Sequence, residues 1–214
     1  MNCIAVNANP SHLDAIVEIH LLAFKSFFLE SLGKRFLKEL YCGFISDPSG
    51  VCLVAVDGTV VVGFAAGTTQ PDGFFRRLLR RRWHAFVLAG VASLARHPLR
   101  VGAKFFSALR YRGESPSDMP SATLLSSIGV APSAKRRGIG KTLLSIFCEK
   151  AKESGAATVF LTTDRDKNDA VNQFYLSNGF TLHISFVKGK NRWMNLYTLS
   201  LLDEQPANWG PVLD

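Results

Sequence analysis

In ATLLSSIGVAPSAKRRGIGKT, residues 122–142, an apolar strand runs without a spacer into a basic, glycine-containing loop that opens a helix. This junction constrains the fold more than any other stretch of the chain. The strand must leave its sheet near Val130, turn within a few residues and hand over to a helix that packs back on the same sheet. The helix is legible from its apolar stripe: Ile139, Leu143 and Phe147, then Leu144, Cys148 and Ala151, with Gly155 ending it. Its first N–H groups have no intrahelical partner and carry the positive end of the helix dipole, so they suit a pyrophosphate. Gly138 and Gly140 remove side chains where an anion must come close. Lys135, Arg136, Arg137 and Lys141 add charge, with one of them in reach of a ribose phosphate. A solvated basic helix start would look the same from the loop alone.

Three kinds of phosphate loop compete here. A nucleoside-triphosphate loop needs G-x-x-x-x-G-K-[ST], and counting back from Gly140-Lys141-Thr142 puts Lys135 where the first glycine belongs. No later strand clearly ends in a lone magnesium-binding Asp. A dinucleotide turn needs a third glycine, and Leu143 holds that position. What remains is a cradle: a strand running directly into a basic, glycine-containing loop that opens a helix, V-A-P-S-A-K-R-R-G-I-G-K-T over 130–142.

The rest of the chain supplies a mixed α/β domain. CIAVNA reads as a first strand, and Ser11 with Asp14 has capping-box spacing for a helix to about Phe24. Phe36, Leu37, Leu40, Tyr41 and Phe44 predict a second helix that stops before Asp47-Pro48. VCLVAVDGTVVVGFAAGTT predicts a hairpin turning at Asp57-Gly58. After the cradle helix come the strand ATVFLTT, a short helix over 169–178 stopped by Gly179, and a closing strand RWMNLYTLSL. A single domain over 1–202 is expected, with an irregular tail over 203–214.

Net charge is +8, and ten Arg or Lys against one acid fall within 71–113. The chain is therefore a near-neutral body with one basic insert, predicted mainly helical to about Tyr111. Four scattered cysteines without a C-x-x-C pair argue against a zinc site or a disulfide framework, and for a reduced, cytoplasmic protein. No signal peptide is evident, and the longest apolar run is too short to span a bilayer.

Two motifs together resemble the GNAT superfamily of acetyl-CoA-dependent N-acetyltransferases. The first is the cradle, with Val130, Pro132, Gly138 and Gly140 in place and Lys135 where relatives carry Arg or Gln. The second is NDAVNQFYLSNGF, with Asn168, Tyr175, Gly179 and Phe180 in place and Val171 at a position usually small. The resemblance covers residues 123–200. It implies a mostly antiparallel sheet with a V-shaped splay between two parallel strands, flanked by helices. It implies acetyl-CoA as co-substrate and no metal. Ile128, Gly129 and Val130 would pair with the pantetheine arm, while Lys135, Arg136, Arg137, Gly138, Ile139, Gly140, Lys141 and Thr142 would hold the pyrophosphate. Asn168 would orient the cofactor, and Tyr175 would protonate the departing thiolate. Some relatives carry a basic Glu on the splayed strand; here only Ser126 and Ser127 stand there, so Asp164 is the nearest candidate base, with Asp166 read as a helix cap.

The acceptor is implied to be a small-molecule amine, an amino sugar first, with a protein N-terminus or lysine next. A non-catalytic CoA-binding module is the alternative of a different class. Phe28 and Glu30 border the expected acceptor cleft. In the insert, Arg76, Arg77, Arg80 and Arg81 are expected on one helix side and Phe74, Phe75, Leu78, Leu79, Trp83 and Phe86 on the other. This face suits a solvated flap, an anionic membrane surface met peripherally, or a phosphorylated acceptor. Nucleic acid is disfavoured because the aromatics read as packing residues. A homodimer stays open. None of the five histidines has a sequence neighbour that sets it apart from a surface or core residue.

Overall fold

The computed structural model describes residues 3–24, 33–86, 119, 121–189 and 191–202. Phe28, Glu30, the insert beyond Phe86 and the tail over 203–214 lie outside the described residues.

Alternating β-branched and small residues build seven strands: β1 Cys3–Asn7, β2 Gly50–Asp57, β3 Val60–Thr68, β4 Ala122–Val130, β5 Thr158–Asp164, β6 Thr181–Lys188 and β7 Arg192–Ser200. They form one sheet in the order β1-β2-β3-β4-β5-β7-β6. Only β4 and β5 run parallel, joined by the helix that follows the cradle; all other neighbours are antiparallel. The helices are α1 Leu13–Ala23, α2 Lys34–Ser46, α3 Phe74–Arg81, α4 Ile139–Glu153 and α5 Asp169–Ser177.

Strand periodicity sends successive residues to opposite faces and so makes two cores. Val54, Phe64 and Ala66 pack under α1, α2 and α3 with Ile16, Leu37, Tyr41, Phe44, Phe74 and Leu78. Leu53, Ala65, Leu125 and Val159 pack under α4 and α5 with Leu143, Phe147, Ala151 and Tyr175. Gly67 permits a close approach of both β4 and α4 to β3. A Cβ there would stand 2.1 Å from the Leu124 carbonyl oxygen and 2.5 Å from the Phe147 ring.

Two expectations are corrected. The N-terminal cap is not Ser11 with Asp14. The Asn9 carboxamide accepts the Ser11 N–H at 2.9 Å, and the Asn9 N–H donates to His12 Nδ1 at 3.1 Å. A 3₁₀ turn over Pro10–His12 follows, because Pro10 fixes φ one residue after Asn9 and the first turn tightens there. In the insert, Phe74, Leu78 and Phe86 are buried as expected, but Trp83 is 58 % exposed. The cause is a helix break: α3 ends at Arg81, and Arg82 departs from helical geometry, so the rotation no longer carries Trp83 onto the apolar side.

Candidate active site

β4 and β5 pair only at Ala122–Thr158, Thr123–Val159 and Leu124–Phe160. Beyond Leu124 they separate. On its other edge β4 continues along β3, with Ile128 opposite Ala65, Gly129 opposite Phe64 and Val130 opposite Gly63. β5 continues along β7 to Asp164. A bulge sits at the start of the gap: Ala66 faces Ser127 and Gly67 faces Leu125, leaving Ser126 as the extra residue. Bulges bend and twist a strand, which turns β4 away from β5. The facing edges of 128–130 and 161–164 offer backbone groups to an extended ligand arm, as an open sheet edge does.

The cradle lies at the end of this gap. A 3₁₀ turn over Pro132–Ala134 follows Val130, and Arg136 (φ 64°) and Gly138 (φ 78°) take left-handed backbone conformations. α4 then begins at Ile139 with no side-chain cap, so its first N–H groups stay available to an anion. A Cβ on Gly138 would meet nothing within 4 Å, and one on Gly140 would make ordinary contacts with the Phe174 ring at 3.5 Å and Val130 at 3.8 Å. Packing does not demand glycine at 140; the space above it is left open, which fits a phosphate. Lys135, Arg136 and Lys141 are exposed, Ile139 is buried in the core, and the Thr142 hydroxyl reaches back to the Gly138 carbonyl at 3.4 Å. The Arg137 guanidinium bonds the Asp57 carboxylate at 2.8 Å, fastening the cradle to the β2–β3 turn.

Tyr175 is the buried residue of α5, 7 % exposed, its ring set against Phe174, Phe180 and Tyr197. Burial raises its phenol above the ordinary tyrosine range. Asn168 directs its amide to the Thr163 hydroxyl (2.9 Å) and the Asp164 carbonyl (3.0 Å), so it joins the end of β5 to the start of α5. Both Asp164 carboxylate oxygens accept from Arg192, at 2.5 and 2.9 Å. A carboxylate so occupied would have to break its ion pair to take a proton. Asp166 bonds the adjacent Arg165 rather than capping α5, and the Arg165 guanidinium lies 4.2 Å over the Trp193 ring.

Sequence reasoning passed over the polar seam behind these groups. Asn172 donates to the carbonyls of Asp164, Arg165 and Asn168, and its own oxygen accepts from Asn195 and Tyr197. Ser185 extends the seam to β6. An Asn inside a helical repeat carries no signal of its partners across the sheet.

It also passed over His20. This residue is 1 % exposed, with Nδ1 2.6 Å from the Tyr41 hydroxyl and Phe24 stacked on its ring at 4.6 Å. Burial lowers its pKa from 6.5 to about 4. The depressed folded-state value means stability present above pH 6.5 and lost as pH falls toward 4, by about 3 kcal/mol for a shift of this size. Urea titrations between pH 7 and 4 should show this loss, and His20→Asn should remove most of it. Equal pH dependence in both proteins would contradict the assignment.

Among the described residues, no group of three or more His, Cys, Asp or Glu is placed to hold a metal, and no helix is long and apolar enough to cross a membrane. The family model for the acetyltransferase (GNAT) family matches residues 13–180. No curated protein matches the chain. Among solved structures, an aminoglycoside 6'-acetyltransferase type Ii is 14 % identical with TM-score 0.61, covering 94 % of this chain and 99 % of its own. A ribosomal-protein-alanine N-acetyltransferase from Brucella melitensis is 17 % identical with TM-score 0.61, covering 92 % and 99 %. PaiA N-acetyltransferase from Thermoplasma acidophilum, solved with coenzyme A, is 14 % identical with TM-score 0.57, covering 94 % and 99 %. At these identities the likeness is one of fold.

Proposed function

The chain belongs to the GNAT family of acetyltransferases, and from that premise we propose that it moves acetyl from acetyl-CoA to a primary amine of a small molecule, with amino sugars as the first acceptor class. The observation that carries this reading is the uncapped, glycine-bearing start of α4 at the mouth of the β4–β5 gap. Acetyl-CoA supplies an activated acyl group as a thioester. The N–H groups from Gly138 to Thr142 hold its pyrophosphate, with Lys135, Arg136 and Lys141 as counter-charges. Backbone groups of Ile128, Gly129 and Val130 hold the pantetheine arm. Tyr175 gives its hydroxyl proton to the departing sulfur, since no protein hydrogen bond ties that hydroxyl among the described residues. Asn168 and Asp164 shape the far wall, Asn168 through β5 and Asp164 through Arg192. With its carboxylate so engaged, Asp164 holds the β6–β7 hairpin in place, and the amine proton leaves through water.

The test is CoA release with a panel comprising an aminoglycoside, a nucleotide-linked amino sugar, spermidine and an alanyl peptide. Turnover on a sugar amine is expected. Turnover on the peptide alone would move the acceptor to a protein N-terminus, and bound acetyl-CoA without turnover on any amine would make the chain a binding module.

The described part of the insert refines the acceptor. Arg77 donates to the carbonyls of Asp72 and Gln70, Arg81 pairs with Asp47, and Arg82 pairs with Glu39. Arg76 and Arg80, four apart and exposed, have no such partner among the described residues. We assign this pair to an anionic acceptor. Arg76→Glu with Arg80→Glu is expected to raise KM severalfold for the nucleotide-linked sugar and to leave acetyl-CoA affinity unchanged. Added salt should imitate the effect, because exposed charges are screened over about 10 Å at 0.1 M. Salt-sensitive binding to phosphatidylserine vesicles, lost in the double variant, would assign the pair to a membrane instead.

A further inference from the structure

Two buried phenols stand side by side under α5, and a closed hydrogen-bond triangle decides which of them keeps a proton to give. Tyr175 and Tyr197 have ring centroids 6.0 Å apart and are 7 % and 2 % exposed. The Tyr197 hydroxyl donates to Asn172 Oδ1 at 3.0 Å and accepts from Asn195 Nδ2 at 3.2 Å. Asn195 Nδ2 also donates to Asn172 Oδ1, at 3.2 Å.

The polarity of this triangle has one solution. The far end of the Asn172 carboxamide lies 3.2, 3.2 and 3.0 Å from the carbonyl oxygens of Asp164, Arg165 and Asn168. Carbonyl oxygens only accept, so that end is the nitrogen and the oxygen faces Tyr197 and Asn195. Asn195 must then present its own nitrogen, and its oxygen accepts the Ser185 hydroxyl at 2.7 Å. The single phenol proton of Tyr197 is committed to Asn172. Tyr175 has ring contacts but no hydroxyl partner among the described residues, so its proton is the one available.

Asn172 precedes Tyr175 by three residues, which makes the two side chains neighbours along α5. One carboxamide thus fastens α5 to β7 through its oxygen and to the end of β5 through its nitrogen, a turn away from Tyr175. β5 is the strand that parts from β4 beyond Phe160, so the same side chain fixes α5 against one wall of the splay.

We infer that Asn172 is a positioning residue for the proton donor Tyr175, with Tyr197 as its anchor on β7. This rests on the acetyl-transfer reading above. As the amine nitrogen bonds to the carbonyl carbon and the C–S bond breaks, sulfur leaves with the bonding pair and takes the Tyr175 proton. Water takes the surplus amine proton and returns one to the phenolate. Asn172 and Tyr197 exchange no proton. They hold the hydroxyl in line with the sulfur, where a misplacement of about 1 Å costs about 10²-fold in rate.

Asn172→Leu should lower kcat about 10²-fold and Tyr197→Phe about tenfold, each with acetyl-CoA affinity unchanged, because neither side chain belongs to the cradle. The deciding measurement is the cycle with Tyr175→Phe. Once that hydroxyl is gone nothing is left to position, so either substitution added to Tyr175→Phe should lower kcat no further. Multiplying losses would make the seam a support of α5 alone and overturn the inference, as would unchanged kcat in both single variants. Tyr197→Phe removes one oxygen and leaves the Asn195–Asn172 bond, so it carries the test if Asn172→Leu does not fold. The ring is also read apart from turnover. In protein labelled with 3-fluorotyrosine, the ¹⁹F resonance that Tyr175→Phe abolishes should be one sharp line in wild type and should broaden or split in Tyr197→Phe. A line that stays sharp and single there overturns the inference whatever the activity. Wild-type protein that binds acetyl-CoA but acetylates no amine would instead remove the proposed function, and the ¹⁹F result would then decide the positioning by itself.

Discussion

Gly140→Asp is expected to abolish acetyl-CoA binding in calorimetry while leaving the melting temperature within a few degrees of wild type. Position 140 has ordinary helical backbone, and a Cβ there makes only ordinary contacts, with Phe174 at 3.5 Å and Val130 at 3.8 Å, so folding tolerates the side chain. The ligand does not: the carboxylate would occupy the space over the α4 N–H groups and repel a pyrophosphate at contact range. Each 1.4 kcal/mol is tenfold in affinity, and two like charges about 4 Å apart near a protein surface cost about that much several times over, so the loss should exceed 10²-fold. Gly138→Asp should also abolish binding, but with added destabilisation of about 1 kcal/mol, because φ at 138 is 78° and side chains resist that conformation. Wild-type affinity for acetyl-CoA in Gly140→Asp, or tight ATP binding by the wild-type protein, would remove the cradle from the site.

Tyr175→Phe is expected to lower kcat by about 10²-fold or more, with little change in acetyl-CoA affinity or in stability. The ring stays packed on Phe174, Phe180 and Tyr197, so the substitution removes one oxygen and no van der Waals contact. Burial raises the phenol, which therefore remains protonated throughout the working range and acts as a donor. An ordinary thiol near 8.5 would make full proton transfer from such a phenol uphill. A thiolate drawn into the same low-dielectric surroundings is raised by the same cause, and the two groups stay matched. An unchanged kcat would return Tyr175 to the core as a packing residue. A large fall in stability would do the same, since it would mean the hydroxyl has a structural partner.

The local order of elements was legible in the chain itself. Period-two runs set β2 and β3, Asp57-Gly58 set their turn, and the stripe from Ile139 to Ala151 set α4 with its cradle. These features depend on neighbours within a few residues, so spacing alone encodes them. The two motifs likewise placed Gly138, Gly140, Asn168 and Tyr175 on the elements where they stand, because each motif is a local turn chemistry at a helix end.

Tertiary structure decided which of the charged and polar residues were already engaged. Arg137, beside two exposed cations in sequence, is taken by Asp57, eighty residues away; Asp164 is taken by Arg192 across β5 and β7. His20 and Tyr41 come from two helices and meet only because α1 and α2 pack on the face of the sheet that carries Phe64. The bulge at Ser126 is what brings Ser127 to that face, by shifting the alternation of β4 by one residue. Hydrogen-bond partners over such separations leave no periodicity along a chain. The sequence by itself determined the scaffold and the cradle, and only the fold decided which side chains were free to act.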